Sequence, residues 1–440
     1  MNAALPDSLM PFCEAPQRFL LGIAQAGAPI VHFRLHDERF VVLCDPDASH
    51  GVLNGDADDY EKGDLYDIPR TTMGDGPITS EHAQWGMQHG MLAPLFARRR
   101  LRELEPLIGS TVVQLLDRWD AHDKASLELL PDCKRLAFDV VCRGLVGLDD
   151  TALTDELFGA VTTIDSTESV RLYYLAKRFR QAGAGDGFSR SGLGRAVERM
   201  DELLAVIVER CLVRRESGDD MVGAAIASDM VRAMDDARRR RFLRDLVATL
   251  LMAGYSTTGE SLFWALYMLA RHPDVQRRAH EALLAREDGM AAPRFDVPPY
   301  LGAVFNESQR MYPPVWFMGR VARRPVQLCG ETLMPGTRVL CSPLVLHHVP
   351  QLWPDPRRFM PERFLAGAAA PIVARAFIPF GTGMRACIGR GLAMMEMAAL
   401  VGSALRRFEF GLASHNEPLL TAAFATQPRD PVLFTLQARA

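Results

Sequence analysis

The run FGTGMRACIG, from Phe380 to Gly389, places one cysteine, Cys387, in a loop punctuated by glycines at 381, 383 and 389, just before a helix that begins near Gly389. This setting suits a thiolate ligand. The glycines let the backbone pass close to a flat cofactor, and the loop amides and helix N-terminus favour an anionic sulfur. Arg385, two residues before the sulfur, can meet a carboxylate. On its own a cysteine in a tight turn reads as a buried structural residue, so the rest of the chain has to decide. Glu307 and Arg310, in FNESQRMY, stand three residues apart and share one helix face. Gly254 interrupts an apolar helix within AGYSTT; glycine there costs roughly 1 kcal/mol against alanine, which points to something packed close to the backbone.

These residues are carried by a chain that reads as mainly helical with small β-regions. Within 30–53, VHFRL and RFVVL have the look of short strands around a turn at His36 to Glu38. Helical periodicity runs from about Glu81 to Leu283, including a long helix from about Leu246 to Arg271 that ends at His272 and Pro273. The run AGAGDGFSRSGLG, Ala182 to Gly194, is too rich in Gly and Ser for a helix and reads as a loop. Beyond Gly319, VQLCG and TRVLCSPLVL read as strands around the turn MPGT; a last helix is expected from about Gly391 to Phe408, followed by a strand-rich tail. With no internal repeat and no long linker, one domain over 1–440 is expected.

Composition narrows the function. The 440 residues, 48% of them hydrophobic, suffice for a sizeable core, and a formal net charge of -4 provides no field for a polyanion, so nucleic acid is not an expected partner. The 8 cysteines include no C-x-x-C pair, which fits a reducing compartment. The N-terminus MNAALPDSLMPFCEAP lacks the basic start and apolar run of a signal peptide. Leu246 to Gly259, the longest uncharged apolar stretch in mid-chain, falls short of the roughly 20 residues of a spanning helix. The expectation is a cytoplasmic protein without a membrane anchor.

The cysteine run matches F-x-x-G-x-R-x-C-x-G at every defined position, and the chain resembles the cytochrome P-450 superfamily of haem-thiolate monooxygenases, soluble bacterial type. The resemblance implies a cytochrome P-450 fold, mainly α with small β-sheets, in which haem b lies between the long central helix and the helix after the Cys loop. Cys387 would then hold the iron, with Phe380, Gly381 and Ala253 beside the haem. Glu307, Arg310 and Arg363 of the segment Pro361 to Phe364 would form a buried charge triad supporting the cysteine loop. In MGDGPITSEHAQWGMQHGMLAPLF, Trp85 matches the family's W-x-x-x-R helix, but His89 stands where Arg is usual. Arg320 and Arg385 match propionate-binding positions, and Lys62 of DDYEK is a further candidate. On the long helix Gly254 would border an oxygen-binding groove and Thr257 falls on the family's alcohol position. The preceding residue, usually Asp or Glu, is Ser256 here, which orders water but supplies no titrating group; Glu260, one turn on, is the candidate substitute.

The implied reaction is activation of O2 and insertion of one oxygen atom into an organic molecule. The electrons would come from a separate ferredoxin or flavodoxin with its reductase, docked on a basic patch at Arg98, Arg99, Arg100 and Arg102. Ser256 keeps open an atypical oxidative enzyme, peroxide-driven, desaturating or coupling, and a non-catalytic haem sensor is the third class. Candidate pocket residues are Tyr66, Ile78, Met252, Tyr255, Trp316, Phe317 and Phe424. They are apolar and aromatic, which favours a hydrophobic small molecule such as a natural-product intermediate.

Overall fold

A computed structural model describes residues 7–55, 58–121, 126–167, 192–214, 220–285, 295–365, 375–414, 416–421 and 423–439. Seven helices position the site, numbered here in chain order: α1 (His82–Leu92), α2 (Leu129–Val140), α3 (Thr151–Ser166), α4 (Gly192–Arg214), α5 (Asp236–Arg271), α6 (Pro299–Met311) and α7 (Arg390–Arg407). The 36-residue α5 is the axis. Its first turn is capped by Asp235, whose carboxylate accepts from the Arg238 amide, and it stops at His272 because Pro273 opens the next helix. From Leu262 to Leu269 every residue of α5 is buried, so the helix is core on all sides there. No described helix is long and apolar enough to cross a membrane.

The small sheets flank this body. Strands β1 (Ile30–Leu35), β2 (Glu38–Leu43), β3 (Tyr60–Glu61), β5 (Met318–Ala322) and β8 (Arg338–Cys341) pair in the order β1-β2-β8-β5-β3, with β2 and β8 parallel. β6 (Val326–Leu328) and β7 (Glu331–Leu333) make a hairpin, and β4 (Leu127–Glu128), β10 (Leu433–Ala438) and β9 (Phe408–Leu412) form the last sheet in that order. Because Glu61 pairs with Val321, the following Lys62 and the neighbouring Arg320 arrive at one sheet edge.

Two stretches within the expected β-regions are helical. Residues 46–53 form a helix because Asp45 caps it, accepting from the Ala48 amide at 2.7 Å, and Pro46 occupies its first turn. In the same way Ser342 accepts from Val345 N and turns Pro343–Leu346 into a helical turn. The Gly- and Ser-rich run lies outside the described residues up to 191, whereas Gly192 to Gly194 open α4 and are helical, contrary to expectation.

Candidate functional site

The Cys387 loop is held by its own backbone. The Cys387 amide donates to Phe380 O at 2.8 Å, and Gly381 N donates to Ile378 O at 3.0 Å. Gly383 has φ +69° and faces the Asn54 side chain so closely that any Cβ would collide with it, so glycine is required twice over at that turn. The thiol is exposed, but into an internal cavity; the surrounding protein pushes its pKa up, while the Gly389 and Arg390 amides and the Arg390 guanidinium pull it down. A thiolate there therefore calls for a positive partner in the cavity.

That cavity, about 380 Å³, lies between the Cys387 loop and α5 and is lined mainly by apolar side chains. From α5 it receives Ala253, Gly254 and Thr257; Tyr66, Ile78, Trp316, Phe317 and Phe424 form walls, and Phe380 and Gly381 border the cysteine. The Thr257 hydroxyl donates to Ala253 O at 2.6 Å, which leaves its oxygen as an acceptor toward the cavity. Gly254 borders the cavity, yet its missing Cβ would lie 2.6 Å from Val141 Cγ2, so close helix packing is what demands glycine.

One end of the cavity collects cations. Lys62, Arg320 and Arg385 all line it, with Trp85 and His89. Lys62 Nζ donates to Ile78 O and Ser80 O, and Arg385 Nη1 donates to Ser80 O at 2.9 Å while stacking over Trp85 at 4.3 Å. His89 lies against Trp85 with ring centroids 4.8 Å apart. Burial, with Arg385 and Arg320 adding repulsion, pushes the Lys62 ammonium down to about 6, and Glu81 opposes this only in part. Burial and repulsion from Arg320 likewise lower Arg385, against Glu81 and Tyr66. Two guanidiniums and a lysine that their repulsion and burial strip of its charge leave this end short of anions, and a ligand with two carboxylates would restore the balance and the Lys62 charge.

Four expected site residues point elsewhere. A helix turns about 100° per residue, so residues 253, 254 and 257 share a face that 252, 255 and 256 do not. Met252 and Tyr255 are core: Tyr255 packs edge-on to Phe138 and donates to Val161 O at 3.0 Å. Ser256 and Glu260 are fully buried toward α2 and α3, where Ser256 Oγ lies 2.8 Å from Asp165 Oδ1 and 3.3 Å from Glu260 Oε1. Glu260 Oε1 is also 3.3 Å from Lys134 Nζ. Neither residue reaches the cavity, and no Asp or Glu is among its described lining residues.

Glu307 and Arg310 are fully buried and paired in bidentate fashion, Nε to Oε2 at 2.7 Å and Nη2 to Oε1 at 2.9 Å. Arg363 Nε comes within 3.4 Å of Glu307 Oε1, and the Met360 amide donates to the same oxygen at 2.9 Å. From this group a chain of bonds reaches the cysteine loop: Arg310 Nη1 donates to His347 O at 2.8 Å, and Ile378 N donates to His347 Nε2 at 2.9 Å. Burial holds His347 well below its usual pKa, so its ring is neutral and can accept.

The sequence reading missed Ser261, one turn beyond Thr257 on the cavity face, which helical spacing could have found. It also missed Lys134, Asp165 and Gln427, which meet Ser256 and Glu260 only through tertiary packing.

The cytochrome P450 family model matches residues 12–435. Cyclooctat-9-en-7-ol 5-monooxygenase of Streptomyces melanosporofaciens is 28% identical over 91% of this chain and 86% of its own length. Cyclooctatin synthase of the same organism is 29% identical over 88% of this chain and 84% of its own length. Among solved structures, the haem domain of cytochrome P450DA superposes with a TM-score of 0.79 at 20% identity, covering 99% of this chain and 94% of that one.

Proposed function

The chain belongs to the cytochrome P450 family, a haem monooxygenase with haem b as cofactor, and from that membership we propose that it oxidises a hydrophobic small molecule in the cavity between Cys387 and Thr257. The carrying observation is the chemical polarity of that cavity: one thiol, an apolar and aromatic wall, and a cluster of three basic side chains short of anions. These residues fit haem b. Cys387 would hold the iron, whose positive charge favours the thiolate that burial alone disfavours. Lys62, Arg320 and Arg385 would meet the two propionates, with Trp85 and His89 packed beside them. Haem bound there supplies activation of dioxygen and insertion of one oxygen atom.

The chain's own residues do the rest. The apolar wall of Tyr66, Ile78, Phe317 and Phe424 excludes water and orients the substrate, and Thr257 Oγ1, with its own proton held by Ala253 O, accepts a hydrogen bond from water in the cavity. Electrons would come from a ferredoxin or flavodoxin with its reductase. The helix Arg98–Arg102 supports this, since Leu101 seats it against Gly391 of α7 and leaves Arg98, Arg99 and Arg102 exposed near the cysteine loop. The name of the 5-monooxygenase relative supports a hydrophobic natural-product intermediate as substrate class.

Titrating purified holoprotein with terpenoids, fatty acids and aromatic metabolites tests this. A bound hydrophobic substrate shifts the Soret band by displacing water from the iron; a screen in which only polar metabolites shift it would overturn the reading. The carboxylate-free cavity lining favours one second reading, peroxide-driven oxidation. Turnover with hydrogen peroxide outpacing turnover with ferredoxin, reductase and NADPH would select it.

A further inference from the structure

Behind α5, on the side away from the cavity, lies a buried charge cluster that the reaction described above does not use. Lys134 of α2 donates to Asp165 Oδ2 of α3 at 2.5 Å, to the Gln427 side-chain oxygen, and lies 3.3 Å from Glu260 Oε1 of α5. Ser256 bridges the two carboxyl groups. Gln427 closes the cluster from the C-terminal side, its Nε2 donating to Asp165 O at 3.0 Å. All five side chains are buried, and Glu260 Oε2 has no hydrogen-bond partner among the described residues.

The charges fix how many protons the cluster holds. One ammonium faces two carboxyl groups out of contact with water, so the cluster is neutral only when one of the two acids keeps a proton. Lys134 is committed to Asp165, the closer partner, and burial together with Asp165 pushes Glu260 up to about 8 against the pull of Lys134. The charged groups facing Glu260 are Lys134 from α2 and Asp165 from α3; the buried Tyr255 phenol of α5, which burial and the two acids keep neutral, also faces them, and the C-terminal loop brings only the Gln427 amide.

Gln427 belongs to a loop that also forms part of the cavity wall. Thr421 N donates to Gln427 O at 3.0 Å across the loop, and Phe424, between them, lines the cavity. Trp264 Nε1 donates to Thr426 O at 2.6 Å, Trp316 Nε1 to Ala423 O at 3.2 Å, Thr426 N and Oγ1 to Pro314 O and Pro313 O, and Gln17 Nε2 to Thr421 O, so the loop is pinned at several points and the charge cluster is the pin at Gln427.

We propose that Lys134, Asp165, Ser256, Glu260 and Gln427 form a positioning device for the cavity wall, in which a neutral Glu260 keeps Lys134 on Asp165 and Gln427 and so holds Phe424 in place. These are positioning residues and touch neither cofactor nor substrate. Ionising Glu260 puts a second carboxylate in competition for Lys134 and loosens its hold on Gln427. Ligands that press on Phe424 then bind more weakly as pH rises through the Glu260 transition, and small ligands do not.

The proposal rests on the haem reading for its readout, so the test uses holoprotein and two probes that bind haem iron through the same imidazole nitrogen. Imidazole reports the iron site alone; 4-phenylimidazole also fills the cavity. The ratio of their dissociation constants, each calculated for the unprotonated form of the probe, is followed by Soret titration from pH 7 to 9.5 in the wild type, Glu260→Gln and Gln427→Leu. In the wild type the ratio should move against 4-phenylimidazole by about fivefold or more, the size of an ordinary coupling between sites. It should stay flat in Glu260→Gln, and in Gln427→Leu it should begin at the weakened value and stay there. A wild-type ratio that does not change with pH overturns the proposal even if neither variant folds, as does an equal change in Glu260→Gln. Failure of imidazole itself to bind would instead refute the haem reading.

Discussion

Replacing Glu307 by alanine removes the centre of the group that supports the cysteine loop. The substitution deletes both hydrogen bonds to Arg310, at 2.7 and 2.9 Å, leaves the Met360 amide without its acceptor, and strands the Arg310 guanidinium where it is fully buried. Breaking a buried pair by removing one partner costs about 3–5 kcal/mol, because the remaining charge has no compensation. At about 2.1 cal/mol/K per residue the 440-residue chain has an unfolding entropy of about 0.9 kcal/mol/K, so Tm should fall by about 3–5 °C. Haem retention should fall with it, since Arg310 holds His347 O and His347 Nε2 holds the Ile378 amide next to the loop. Differential scanning calorimetry of holoprotein, with haem counted by pyridine haemochromogen, measures both. Glu307→Gln keeps the volume but turns an amide N–H toward a guanidinium, and should lie close to the alanine variant. A haem-replete Glu307→Ala protein melting within about 1 °C of the wild type would refute the reasoning.

Cys387→Ala should abolish the red-shifted Soret band of the reduced carbon monoxide complex; its persistence would place the thiolate elsewhere. Thr257→Ala should keep substrate affinity while product per NADPH falls, by as much as the roughly 10²- to 10⁴-fold a positioned proton-transfer group contributes, and unchanged coupling would show that Thr257 Oγ1 handles no proton. Gly254→Ala should cost about 1–3 kcal/mol through collision with Val141, read by denaturant unfolding, and a second change, Val141→Ala, should recover most of it. The folded state holds a proton on Glu260 that the unfolded chain releases, so the wild type should lose stability relative to Glu260→Gln as pH rises from about 4.5 toward 8, and the gap should level off above that; parallel melting curves across this range would contradict the raised pKa.

How much of this could be read in the sequence depended on the range of the forces involved. The glycine-punctuated turn at Cys387 and the helix face shared by Glu307 and Arg310 are legible in local spacing, whereas the cysteine's role and the burial of the pair follow only from the resemblance to the family. Strand β8 was found and its continuation Pro343–Leu346 was not, because the apolar run continues while Ser342 caps a helical turn. On α5 proximity to the AGYSTT run does not fix helix phase. Met252 and Tyr255 therefore fell into the core although Ala253 and Thr257 line the cavity. Lys134, Asp165 and Gln427 carry no local pattern, and only the packing of α2, α3 and the C-terminal loop around α5 brings them together.

The same helix phase bears on how protons reach the cavity. In the family the residue before the alcohol is an acid, and in this chain that position is Ser256, which faces Asp165 and Glu260 on the far side of α5. The acids near this point in the fold thus sit behind the helix, bound to Lys134, with no described hydrogen bond joining them to Thr257. A carboxyl group that must stay protonated to keep a buried cluster neutral is a poor donor, because each proton it gives up leaves an uncompensated charge in the core. Thr257 Oγ1 and Ser261, on the cavity face, have no such cost and, among the described residues, bond to backbone carbonyls of their own helix. Thr257 and Ser261 are thus the hydroxyls that the long helix presents to the cavity, and the pH dependence proposed for Glu260 belongs to the fit of the cavity wall.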